Sequence, residues 1–198
     1  IFTFLADVDG LSFPQAVEQL AEQAGVELRA LTKDEEKKIS GRKKLYSIME
    51  MANDFFMNNL LSDNRALGYL NERGINKEII LEYKIGYAKD NFSSLHKFLL
   101  DKDTLNEDIL LAGLIIKSEK KKNSYYDRYR DRIIFPITNT YGKIVGFGGR
   151  VINEDDKPKY MNSPETEIFH KGNLLFNYSN IKSPVKEIDN LVVVEGYM

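Results

Sequence analysis

An α+β fold, helical in its first half and strand-rich in its second, is what this sequence predicts, and three observations predict it. Up to about residue 112 apolar residues recur at helical spacing, most clearly Leu45, Ile48, Met49, Ala52, Phe55, Phe56 and Leu60. From residue 114 the pattern changes to short β-branched runs at 114–117, 132–137, 143–147 and 191–194. Glycines stand where elements should end, at Gly25, Gly74 and Gly142.

The elements follow in order. Ser12, Phe13 and Pro14 offer a cap and a first-turn proline for a helix that carries Ala16, Val17, Leu20, Ala21 and Ala24 on one side and stops at Gly25. Residues 29–44 lose the periodicity and are dense in charge, so they read as an interdomain linker. A long amphipathic helix starts at 45, and a second helix covers 63–72 with Leu67 and Leu70 inward and Gly74 as its C-cap. Short helices are expected near 76–83, 92–100 and 105–112, with Tyr83, Tyr87 and Phe92 as packing residues between them. Tyr141 and Gly142 separate two β-branched runs and predict a hairpin turn. The run 191–194 reads as a buried parallel strand that places Glu195 at its C-terminal end, where α/β sheets put their active sites.

Composition bounds the function. The 198 residues are 42% apolar, enough for a folded core, and no stretch approaches the roughly 20 apolar residues that cross a bilayer. No signal-peptide pattern is present, which makes the cytoplasm the expected location. The absence of cysteine rules out disulfides and thiolate metal sites within these residues. With 28 basic and 30 acidic residues the formal charge is −2, so nucleic-acid binding would have to rest on clustering. Such clustering exists: from Lys117 to Arg132 Lys and Arg outnumber acids, and Lys143, Arg150, Lys157, Lys159 and Lys171 follow. The chain starts at Ile1 and stops after a strand-like run, and both ends read as cuts.

Four blocks carry the candidate chemistry: YDRYRDRIIFPI (126–137), GFGGR (146–150), PKYMNSPET (158–166) and FHKG (169–172). In an extended segment Arg128, Arg130 and Arg132 would emerge on one face. The glycines of GFGGR would let a phosphate or a base approach the main chain beside Arg150. Asn162, Ser163, Glu165 and Thr166 form a polar turn whose role is as readily internal hydrogen bonding as ligand contact. Two histidines, His96 and His170, cannot make a metal cluster.

The order and wording of these blocks, followed by VVVEGYM (192–198), resemble the RNA-polymerase domain of the bacterial replicative primase family, the DnaG type. The resemblance extends to the opening residues, which look like the end of that family's zinc-binding domain. It implies four segments: 1–28, a zinc-domain remnant; 29–44, a linker; 45–172, the N-terminal subdomain of the polymerase core; and 173–198, the truncated start of the α/β catalytic subdomain called Toprim. It further implies that Arg73, in YLNERG, joins Arg128, Arg130, Arg132, Arg150, Lys159 and Lys171 in a surface for template and nucleotide. Glu195 would be the catalytic carboxylate beside Mg²⁺ or Mn²⁺, with the remaining ligands after Met198, and Zn²⁺ would belong to the parent's upstream domain. The implied partners are a single-stranded DNA template, ribonucleoside triphosphates, a replicative helicase and single-strand binding protein, with no membrane. Two alternatives stay open: another Toprim enzyme, such as a phage or organellar primase-helicase, a topoisomerase or a nuclease, or a non-catalytic single-strand-binding module.

Overall fold

In the computed structural model, residues 2, 13–26, 29, 32–121, 124–180 and 196–197 are described. The chain divides into two compact units, Ile1–Ser40 and Gly41–Met198. The first holds helix α1 (Phe13–Gln23), with Ala16 buried, and ends it at Gly25 in the left-handed conformation (φ 65°).

Helix α2 runs from Lys33 to Leu61, so residues 33–44, expected as a linker, are helical. The cause is a capping box written in the sequence as Thr32-x-x-Glu35. The Glu35 carboxylate accepts from the Thr32 amide at 2.9 Å, and the Thr32 hydroxyl accepts from the Glu35 amide at 3.3 Å. Asp34, Glu35 and Glu36 fill the first turn, where the helix dipole favours negative charge. These signals outweigh the missing apolar stripe.

The second unit is built on a four-stranded antiparallel sheet in the order β1-β4-β5-β6, formed by Gly86–Ala88, Arg132–Thr138, Ile144–Val151 and Tyr160–Asn162. Strands β2 (Ile115–Lys117) and β3 (Tyr125–Asp127) pair separately. Helices α3 (Asn64–Glu72), α4 (Lys77–Glu82), α5 (Ser94–Leu100) and α6 (Asn106–Leu111) stand close to their expected positions. The Asp63 carboxylate caps α3 by accepting from Ala66 N at 2.9 Å, and Gly74 (φ 76°) follows its end. The hairpin turn also falls where expected, with Gly142 at φ 73°.

Both faces of this sheet are covered. Phe56, Tyr129, Phe147 and Phe169 lie in one core cluster, and Leu60, Leu70, Ile80, Tyr87, Ile133 and Phe135 in a second. Every residue of β5 is therefore buried. Strands β1, β3 and β6 are three residues each, too short to show a period in sequence. The run 191–194, expected as a strand, and Glu195 lie outside the described residues.

Candidate nucleic-acid interface

Arg150 sits on β5 directly opposite Tyr160 of β6. Only 7% of it is exposed. Its Nε donates to the Tyr69 hydroxyl at 2.7 Å, its Nη1 donates to the Tyr160 hydroxyl, and its guanidinium lies 5.1 Å from the Tyr160 ring centroid. Burial alone would lower the guanidinium pKa, yet the hydrogen bond to Tyr69 and the Tyr160 hydroxyl more than offset it, so the pKa is raised. Tyr69 projects from α3, and four residues later Arg73 stacks on its ring at 4.6 Å. Arg73 also reaches Glu154 at 3.5 Å. Tyr69 thus joins two arginines that are far apart in sequence, with cation on ring at one end and cation on hydroxyl at the other.

The three arginines of YDRYRDR do not share a face. Strand β3 ends at Asp127 and β4 begins at Arg132, and between them Asp131 takes a left-handed conformation (φ 46°) that breaks the alternation. Arg128 Nε donates to the Gly113 carbonyl at 2.7 Å. Arg130 stacks on Phe92 and Tyr126, and the buried Arg132 donates to the Pro158 carbonyl at 2.8 Å. Burial holds the Arg132 guanidinium below its ordinary pKa. Lys159 and Lys171 are exposed, and no ion pair to either is present among the described residues. The amide of Lys171 donates to the Glu165 carboxylate at 3.0 Å.

The glycines of GFGGR serve a different purpose from the one expected. A Cβ at Gly146 would run into the Phe169 ring, one at Gly148 into Tyr197, and one at Gly149 into Tyr129 and Arg132. The space belongs to the protein's own side chains because β5 is central and covered on both faces. Tyr197 stacks on Phe135 at 5.4 Å and donates to Asn162 Oδ1 at 2.8 Å. The polar turn after Tyr160 is internally bonded: the Ser163 hydroxyl accepts from Phe147 N at 2.9 Å, and Thr166 Oγ1 accepts from Phe169 N at 3.0 Å. Phe92, expected to pack, is 66% exposed. Tyr69 and Tyr160 carry no functional signal in the sequence reading above. The spacing Tyr69-x-x-x-Arg73, four residues apart on a helix, is the signal that would have found the first.

Asp131 organises the bend between the arginines. It accepts both Arg65 Nη groups, each at 2.9 Å, and the Tyr87 hydroxyl at 2.6 Å. Burial raises its pKa, but the hydrogen bonds from Arg65 and Tyr87 together prevail and leave it below the ordinary aspartate value. A depressed carboxyl contributes stability that is present above the unfolded-state pKa, about 3.9, and is lost as pH falls through the folded one. Asp131→Asn should therefore be less stable than wild type at pH 7, and the gap should narrow at about pH 3. Urea melts at both pH values measure this, and a gap unchanged in acid would show that the charge of Asp131 contributes nothing.

A family model described as the DNA primase catalytic core, N-terminal domain, matches residues 55–182. The chain belongs to this family. Its relatives include a DNA primase of Pseudomonas putida, 40% identical over 98% of this chain and 30% of the relative, and one of Deinococcus radiodurans, 39% identical over 100% and 33%. The chain thus spans about a third of the length of the curated relatives it matches. Among solved structures, a DnaG primase catalytic domain bound to single-stranded DNA aligns at a TM-score of 0.71 with 35% identity, covering 80% of this chain and 51% of that one. A primase domain from Pseudomonas aeruginosa aligns at 0.69 with 38% identity, covering 77% and 48%. The Aquifex aeolicus primase, solved with its zinc-binding and RNA-polymerase domains, aligns at 0.64 with 32% identity, covering 90% and 42%.

The described part of this primase core does not fit either metal ion. No group of three His, Cys, Asp or Glu able to hold one occurs among the described residues. Asp127 and Asp131, both enclosed by the fold, are engaged by protein donors, and Asp108 is paired with Lys44. No helix among these residues is long and apolar enough to cross a membrane.

Proposed function

We propose that this chain works as part of a DNA-templated RNA polymerase that makes short RNA primers for replication, and that it supplies the basic surface for single-stranded template and ribonucleoside triphosphates. The observation that carries this reading is the array Arg73, Tyr69, Arg150 and Tyr160, in which aromatic side chains hold two guanidinium groups in place. Arg73 entered the candidate set only through the resemblance, and its link to Arg150 supports it on independent grounds. Lys159, on the segment between β5 and Tyr160, and Lys171 add exposed cations. Arg128, Arg130 and Arg132 contribute charge to the same unit, each anchored to a carbonyl.

The DnaG catalytic domain that aligns at a TM-score of 0.71 is bound to single-stranded DNA, which agrees in kind with a template strand. Glu195 remains the proposed catalytic carboxylate, with Mg²⁺ or Mn²⁺ as its partner. Zn²⁺ in an upstream domain, a replicative helicase, single-strand binding protein and a cytoplasmic setting complete the proposal. The segments 1–28, 29–44, 45–172 and 173–198 are kept as its domain outline, with the helical start of α2 placed inside the second.

Phosphate contacts by Lys and Arg release counterions, so binding of single-stranded DNA should depend steeply on salt. Four neutralised phosphates, one each for Arg73, Arg150, Lys159 and Lys171, predict a roughly fifty-fold loss of affinity between about 50 and 200 mM salt. A fluorescence titration of a labelled oligothymidylate measures it, and an affinity indifferent to salt contradicts the basic-surface reading.

A further inference from the structure

We propose that Glu154 is a built-in competitor for phosphate at Arg73, so that one end of the basic surface stays occupied until a phosphate group displaces a carboxylate; this deepens the reading above and rests on it. Glu154, Asp155 and Asp156 follow one another in the segment 152–159 that joins β5 to β6, and all three are exposed. The Glu154 carboxylate lies 3.5 Å from Arg73 Nη2, with its side chain 81% exposed against 34% for Arg73. It meets a guanidinium that the Tyr69 ring already supports at 4.6 Å. An aromatic face holds a guanidinium without occupying its N–H groups, which are left for an anion. A carboxylate and a phosphate offer those N–H groups the same thing, negatively charged oxygens at hydrogen-bonding distance.

The segment holds its acids beside the cations. Asp155 N donates to Asn153 Oδ1 at 3.3 Å and Asp156 N donates to the Asn153 carbonyl at 3.2 Å, which closes a turn around the acids. Further on, the Pro158 carbonyl accepts from Arg132 Nη1 at 2.8 Å and the Lys159 carbonyl accepts from Val151 N at 3.2 Å. Burial lowers the Arg132 guanidinium pKa, and the Asp156 carboxylate is the foremost charge opposing that change, so the acids act on a second arginine of the proposed surface. Stability does not account for the arrangement. An exposed ion pair contributes little to folding, and consecutive like charges repel one another. A pair this exposed is instead easily exchanged, and a phosphate group that enters replaces one anion with another. Both the backbone of a single strand and the triphosphate of a nucleotide carry that group.

The test titrates a labelled oligothymidylate and ATP as separate probes at about 10 mM salt, where screening is weak. Glu154→Gln keeps the shape and removes the charge, and should tighten binding by roughly two- to five-fold, the range open to an exposed ion pair. Adding Asp155→Asn and Asp156→Asn should bring the gain to the order of ten-fold, and the gain should shrink by about 200 mM salt. It must also need Arg73: in an Arg73→Ala background Glu154→Gln should change nothing. A control with Asp101→Asn, Asp103→Asn and Glu107→Gln removes the same charge between the end of α5 and the start of α6, where Leu99 and Ile109 belong to the core cluster that does not include α3. Its affinities should stay close to wild type. A gain on the oligothymidylate assigns the competitor to the template strand, a gain on ATP assigns it to the nucleotide, and either supports it. No gain on either probe, an equal gain in the control, or a gain that survives the loss of Arg73 overturns the competitor while leaving the basic surface standing. Failure of the wild type and the variants alike to bind either probe overturns the basic-surface reading itself. Glu154 is exposed, so Glu154→Gln should melt with the wild type.

Discussion

Arg150→Ala should cost the protein about 3 kcal/mol of stability, because charge-assisted hydrogen bonds contribute about 1.5–3 kcal/mol each and a buried network is broken. The substitution leaves the Tyr160 hydroxyl without its guanidinium partner and leaves Tyr69 with only a long hydrogen bond of 3.4 Å to the Val151 carbonyl. It should also weaken single-stranded DNA binding beyond the loss of one charge, since the ring on which Arg73 rests loses its anchor. Arg150→Lys should recover little, as an ammonium cannot serve two hydroxyls in the planar geometry of the guanidinium. An exposed cation, by contrast, is expected to contribute little to folding. That expectation now applies to Lys159 and Lys171, whose replacement by Ala should change stability by no more than about 0.5 kcal/mol. Urea denaturation of the three alanine variants separates the cases, and an Arg150→Ala melt superimposed on the wild type would show that the bridge through Tyr69 carries no energy.

Gly86→Ala should be comparably damaging for a steric reason. Strand β1 crosses α2 so closely that a Cβ at Gly86 would stand 2.5 Å from Phe56 Cβ, 2.8 Å from the Phe56 carbonyl carbon and 3.0 Å from Met57 N. Two of these atoms are backbone, and the third is fixed to it, so no rotamer change relieves the clash. Either the helix lifts from the sheet or the strand leaves its pairing with β4. Overpacking of a core commonly costs about 1–3 kcal/mol, and a backbone contact belongs at the upper end. A loss of about 3 kcal/mol lowers the melting temperature by roughly 6–12 °C for a unit of this size. By contrast Gly68→Ala, with open space around its Cβ and a helix-interior position, should stabilise the protein slightly. A Gly86→Ala protein that melts with the wild type would mean that α2 and β1 pack less closely than they do here.

The helices were legible because their signals are local. Caps, left-handed glycines and the three-to-four periodicity of 45–60 each lie within a few residues of the element they define, and these elements appear at or near their expected positions. The helical start of α2, by contrast, has a local signal that the absence of an apolar stripe conceals, the capping box Thr32-x-x-Glu35. The short strands β1, β3 and β6 exist only through pairing, and three residues cannot carry a period.

What the sequence by itself determined is the family, the α+β order of elements and the inventory of basic residues, because all three are recorded in the identity and spacing of neighbouring residues. The tertiary structure alone decided what those residues do in space. One left-handed aspartate sends Arg128, Arg130 and Arg132 to three different partners, and a central strand covered on both faces gives the GFGGR glycines to Phe169, Tyr197 and Tyr129. The pairing of Arg73 with Arg150 through Tyr69, and the exposure of Phe92 beside Arg130, likewise depend on chain segments brought together by packing. Burial and contact are properties of the whole packed chain. No window of sequence contains them.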